Sequence, residues 1–288
     1  MDTFRRGDLV FDVRDSGPAD GEPVVLLHGF PQDGGAFDRL APVLHSAGLR
    51  TLAPDQRGYS PGARPPGRSA YSLRAVVDDV LALLDAAGLS SAHVVGHDWG
   101  GVAAWALAAW HPWRVRTLTA LSVPHPAAMT QAVLHSDQGL RSGYIGFFQL
   151  PAVPEGVLLA RQGAVLRRVL RNGGLPEHLV DHYVDRMREP GALTAALNWY
   201  RALPLPGAPV GTVRVPTLHV WGAHDAFLGR AATEATREFV TARYALEVLE
   251  DADHWLPELA AERVGELVTA HVRTRGDDRT AGVAPGHG

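Results

Sequence analysis

No cysteine and no lysine occur among the 288 residues. The first absence removes disulfides, thiolate metal sites and cysteine nucleophiles together. The second removes a Schiff base on a protein lysine, since every basic side chain is arginine or histidine. A strong excess of one charge is missing too. The 27 basic and 31 acidic residues leave a net charge of −4, which gives no support to nucleic-acid binding. No apolar run approaches a membrane span, and Met1-Asp2-Thr3-Phe4-Arg5-Arg6 has no apolar signal region. A soluble, cytoplasmic protein is the expectation. The remaining composition, 46% apolar and 20% charged, suits one large α/β domain with an inserted piece and is short for two independent domains.

Apolar runs at 9–13, 24–27, 51–53, 94–95 and 117–123 read as strands with helices between them. The clearest helix spans 73–84, where Leu73, Val76, Val77, Val80, Leu81 and Leu84 make one stripe and Gly88 is placed to end it. Strands of this kind alternating with helices predict a mostly parallel sheet covered on both faces. The rhythm breaks after Val123. Residues 125–211 show helical patches punctuated by proline and glycine, and strand character resumes at 216–221 and 245–249. Helices are expected at 231–240 and 257–272. The pattern predicts an α/β core over 1–124 and 212–275, a helical cap inserted at 125–211, and a disordered polar tail at 276–288.

The chemistry concentrates at Gly96-His97-Asp98-Trp99-Gly100, between an apolar strand and an alanine-rich helix. Glycines two positions either side allow a sharp turn with close backbone approach, and Asp98 stands at its apex. A carboxylate at that point can displace a leaving group from saturated carbon and form an alkyl-enzyme ester. Asp225 and then His254 follow later in the chain, each on a loop after a predicted strand. Nucleophile, acid, histidine is the chain order of an α/β-hydrolase fold, in which the acid orients an imidazole that withdraws a proton from water. Asp251 and Asp253 lie nearer to His254 but share its loop, so they read as solvated charges. His28 reads as a loop-fixing residue. His178 and His182 sit four apart on an expected cap helix, but no third ligand is evident and no metal or other cofactor is expected.

With these motifs the chain resembles the epoxide hydrolases of the α/β-hydrolase superfamily, over about residues 24–272. The resemblance rests on His28-Gly29-Phe30-Pro31, on the Gly-His-Asp-Trp-Gly elbow, and on Tyr144-Ile145-Gly146-Phe147-Phe148-Gln149 and Asn198-Trp199-Tyr200-Arg201. It implies that Tyr144 and Tyr200 reach from the cap to hydrogen-bond an epoxide oxygen while Asp98 attacks carbon. It also implies an oxyanion hole from the Phe30 and Trp99 backbone N–H groups, and a substrate pocket lined by Phe148, Trp199 and Trp255. The implied partner is a small-molecule epoxide, with no membrane and with a homodimer as the assembly to test. A haloalkane or haloacetate dehalogenase would use the same Asp98, Asp225 and His254 but needs N–H donors for halide, for which Trp99 and Trp199 are the candidates. A ligand-binding protein on an inactive hydrolase scaffold is the third reading.

Overall fold

Residues 92–97 are buried without exception, as expected of a central parallel strand with both faces covered. The computed structural model describes residues 1–280, with side chains through residue 274. Its strands are β1 (Thr3–Arg6), β2 (Leu9–Ser16), β3 (Glu22–Leu27), β4 (Leu49–Pro54), β5 (Ala92–His97), β6 (Val115–Leu121), β7 (Thr217–Gly222) and β8 (Tyr244–Leu249). They form one eight-stranded sheet in the order β1-β2-β4-β3-β5-β6-β7-β8. The β1/β2 and β2/β4 pairs are antiparallel, and every later pair is parallel. The fold is that of an α/β-hydrolase. Strand β1 was not expected from the sequence: with four residues and only Phe4 buried, it offers almost no alternation to detect.

Alternate residues of β3 enter different cores. Val25 and Leu27 join the larger cluster, and Val24 and Leu26 the smaller. The smaller cluster packs under α1 (Leu40–Ser46) and the last helix, and the larger under α2 (Leu73–Ala86) and α3 (Trp99–Trp110). The expected α2 stripe is buried at Val76, Val77, Val80 and Leu84, but Asp79 is buried with it. Its two oxygens accept from Arg57 Nε and a terminal nitrogen at 2.7 and 2.5 Å, and Arg6 bonds it at 3.0 Å. A buried carboxylate is tolerated only with partners of this kind.

Between β6 and β7 lie α4 (Pro126–His135), α5 (Gln138–Arg141), α6 (Gly143–Phe148), α7 (Val153–Asn172), α8 (Glu177–Arg188) and α9 (Ala192–Ala202), and no strand. Helix α7 is broken at 160–163, where Arg161, Gln162 and Gly163 adopt left-handed backbone. The helix expected at 231–240 is shorter, α10 (Arg230–Ala235), and closes in a 3₁₀ turn. That expected at 257–272 is divided into α11 (Leu256–Leu259) and α12 (Ala261–Thr280). The start of the segment expected to be a tail is therefore helical, and residues 281–288 lie outside the described residues. Among the described residues no helix is long and apolar enough to cross a membrane.

Candidate active site

The turn from β5 into α3 is strained at its apex: Asp98 holds φ 49° and ψ −122°, unfavourable for any residue with a Cβ. Close packing explains the glycines. A Cβ on Gly100 would collide with the Leu27 carbonyl, and one on Gly29 would collide with the Asp98 side chain itself. The carboxylate is thus wedged against the loop after β3, where the Phe30 N–H donates to Asp98 Oδ1 at 2.8 Å. The Trp99 N–H also hydrogen-bonds this carboxylate. With one oxygen held in that way, Oδ2 lies 3.9 Å from His254 Nε2.

His254 follows β8, and its Nδ1 is 2.8 Å from Oδ2 of Asp225, which follows β7. The other oxygen of Asp225 accepts from the Phe227 and Leu228 N–H groups at 2.8 and 2.9 Å. Asp225, and neither Asp251 nor Asp253, is the ring's carboxylate partner; Asp253 instead accepts from the Trp255 N–H on its own loop. Burial works against a charged imidazole, but the charge and hydrogen bond of Asp225 and the charge of Asp98 push His254 up to about 9. Burial also raises Asp98, against the opposing pull of His254 and the two backbone N–H groups.

Facing the carboxylate is a cavity of about 260 Å³ whose wall is almost wholly apolar. Asp98, His254, Tyr144 and Tyr200 supply its polar end. Tyr144 comes from α6 and Tyr200 from α9, with ring centroids 6.0 Å apart. Burial, and then in part the Asp98 charge, raises both phenols beyond their ordinary range, so both keep their protons at neutral pH. Tyr200 is held edge-on by Trp99 at 5.0 Å and by Phe30 at 5.6 Å.

Phe148 and Trp255 line the cavity, but Trp199 does not. Its indole N–H donates to the Arg57 carbonyl at 2.8 Å, and its ring backs Trp99 at 5.7 Å. The expectation for Trp199 is corrected on that ground: residues 199 and 200 are about 100° apart around a helix, so only one of them can face the cavity. Sequence reasoning missed Phe227 and the aliphatic wall from α7, which includes Leu158, Leu166 and Leu170. Phe227 lies two residues after Asp225, with its ring 5.0 Å from that of His254, and its place on the acid loop was a usable signal.

His28 bonds the Gly29 carbonyl in its own loop and the Gln56 N–H on the loop after β4. His182 pairs with Asp33 at 2.7 Å. Among the described residues no group of three or more His, Asp or Glu is placed to hold a metal ion.

The alpha/beta hydrolase fold family matches residues 22–161. The chain is 34% identical over 275 residues to AB hydrolase superfamily protein YfhM of Bacillus subtilis, covering 93% of this chain and 96% of that one. It is 32% identical to epoxide hydrolase A of Mycobacterium tuberculosis, over 87% of this chain and 89% of that one. Human epoxide hydrolase 4 is 33% identical, over 86% and 72% respectively. The crystal structure of epoxide hydrolase A from Mycobacterium thermoresistibile superposes with a TM-score of 0.81 at 26% identity, covering 94% of this chain and 97% of that one. Identities of 32–33% to named epoxide hydrolases over most of both chains, together with the shared fold, place the chain among the epoxide hydrolases of the α/β-hydrolase superfamily.

Proposed function

We propose that the chain converts a small-molecule epoxide to a vicinal diol in two steps through an ester on Asp98. The observation that carries the reading is the division of labour within that carboxylate: the Phe30 N–H holds Oδ1, while Oδ2 lies 3.9 Å from His254 Nε2 and the residue opens on the cavity. Asp98 Oδ2 attacks an epoxide carbon, the carbon–oxygen bond of the ring breaks, and the departing oxygen takes a proton from Tyr144 or Tyr200. A protonated phenol beside a carboxylate suits that task, because the alkoxide formed is far more basic than phenolate. The inserted helices act as the cap that carries both phenols.

Esterification changes the electrostatics that prime the second step. The Asp98 charge is one of the causes holding His254 high, so its loss lets the imidazole give up its proton, which restores the phenol, and act as a base. Nε2 then takes a proton from water, and the hydroxide attacks the Asp98 carbonyl carbon. The oxyanion forms on Oδ1, where the Phe30 N–H already donates, with the Trp99 N–H hydrogen-bonded to the same carboxyl group. Collapse breaks the Cγ–Oδ2 bond and expels the diol with Oδ2, which takes the proton remaining on the incoming oxygen, so that Asp98 regains one oxygen from water and its charge while His254 is left protonated.

The dehalogenase reading loses support from the same geometry. Both indoles that would serve a halide are engaged elsewhere, Trp199 with the Arg57 carbonyl and Trp99 with Tyr200. The test is His254→Gln incubated with a styrene-oxide-like epoxide, followed by mass spectrometry of the Asp98 peptide. A mass increase equal to the epoxide is expected to accumulate. An unmodified peptide beside a wild type that turns the epoxide over sinks the two-step scheme. Halide release without epoxide turnover favours dehalogenation, and neither activity together with tight ligand binding favours an inactive scaffold.

A further inference from the structure

Behind the triad runs a buried polar chain that the two-step scheme leaves unused. Gln32 is fully buried. Its Oε1 accepts from the Gly29 N–H at 2.8 Å and lies 2.9 Å from His97 Nδ1. Its Nε2 donates to Glu258 Oε1 at 2.6 Å. His97 Nε2 lies 2.8 Å from the backbone carbonyl oxygen of His254. At the far end the Tyr183 hydroxyl of α8 donates to the same Glu258 oxygen at 2.8 Å, while Oε2 is buried with no hydrogen-bond partner. One side chain, Gln32, therefore joins the oxyanion loop, the elbow and the histidine loop, and Glu258 anchors it.

A carboxylic acid is a costly choice for mere filling, since a buried carboxylate with a free oxygen forfeits far more solvation than a neutral amide would. Proton accounting gives it a use. Both nitrogens of His97 face oxygen atoms, and burial holds the ring well below the histidine range, so it is neutral and donates to only one of them. Burial pushes Glu258 up to about 7, against the hydrogen bonds from Gln32 and Tyr183, so its charge changes near neutrality. Its negative charge in turn favours protonated His254. The other groups facing the imidazole are Asp225, Asp98, Asp253 and the neutral His97 ring. Arg39 meets Glu258 through the backbone carbonyl, at 3.1 Å.

We propose that Glu258 is a positioning residue for ester hydrolysis: through Gln32 and His97 it fixes the His254 backbone and the oxyanion loop, and its charge reaches the water-activating imidazole. This rests on the assignment of His254 as the base of the second step. Single-turnover reactions of wild type and Glu258→Gln with a styrene-oxide-like epoxide, across the range of pH in which the enzyme is stable, separate the two half-reactions. Ester formation is read by mass spectrometry of the Asp98 peptide and hydrolysis by diol release. The glutamine keeps the volume and removes the charge. Alkylation is expected to stay within about twofold, while the acid limb of hydrolysis moves to lower pH by roughly half a unit or more, because the imidazolium loses a stabilising anion. Tyr183→Phe, which removes a hydrogen bond to the ionised acid, moves the limb in the same direction by less. An unmoved limb in both variants overturns the proposal, even where turnover slows or melting temperature falls, because that pattern is structural support alone. Absence of any Asp98 ester in the wild type fails earlier and overturns the assignment beneath it.

Discussion

Replacing Asp225 by asparagine isolates the second step, and the hydrogen bonds around that residue set the size of the effect. Asp225 Oδ1 accepts two backbone N–H groups, from Phe227 and Leu228, while Oδ2 faces His254 Nδ1 at 2.8 Å. An asparagine keeps its oxygen toward the two N–H donors and therefore turns its amide nitrogen toward the imidazole. The ring must then accept at Nδ1 and carry its proton on Nε2, the tautomer that cannot take a proton from water. Recovering the productive tautomer means reversing the amide and leaving two N–H groups, one buried and one partly buried, without acceptors, at about 1–3 kcal/mol each. A total of about 2–6 kcal/mol corresponds to a loss of roughly 30-fold to 10⁴-fold, at about 1.36 kcal/mol per decade. Asp225→Asn is expected to slow diol release by that factor while alkylation persists, so the Asp98 ester should become the dominant species within one turnover. Rapid quench followed by mass spectrometry of the Asp98 peptide measures both rates. A loss below about tenfold in hydrolysis, or an equal loss in alkylation, refutes the tautomer argument.

Removing a single phenol should act on the other step. Tyr200→Phe and Tyr144→Phe are each expected to cut the alkylation rate by roughly 10- to 100-fold, the worth of one hydrogen bond to a developing charge, with ester hydrolysis nearly unchanged. Unchanged alkylation in both single variants would remove the tyrosines from the mechanism. The contact between the inserted helices and the core carries its own pH signature at His182, whose hydrogen bond to the buried Asp33 carboxylate holds it above the ordinary histidine range. A raised pKa in the folded state stabilises fully below the unfolded value and is lost as pH rises through the folded one. His182→Ala should therefore lower the melting temperature more at mildly acidic than at alkaline pH, by about 1–2 °C for a half-exposed pair. A deficit independent of pH, measured by calorimetry, contradicts that assignment.

Short-range patterns were sufficient for the architecture. Alternating apolar strands and helices, the stripe on α2, and the glycines around Asp98 each depend on neighbours within a few residues, and they indicated a parallel sheet with a strained apex. Asp98, Asp225 and His254 followed from chain order, because strand ends in this fold open on one edge of the sheet. What the sequence could not decide was the rotation of a helix and the meeting of distant segments. Trp199 and Tyr200 are adjacent, with similar apolar bodies and polar tips, yet packing sends one to the Arg57 carbonyl and the other into the cavity. The buried Asp79 with Arg57 and Arg6 broke the α2 stripe for the sake of partners 22 and 73 residues away. Gln32, His97, Glu258 and Tyr183 come from four separate stretches of chain, and each taken singly reads as an ordinary polar residue. Only the folded backbone closes the distances between them. Hydrogen bonding is decided over about 3 Å in space, and no linear spacing encodes such a distance.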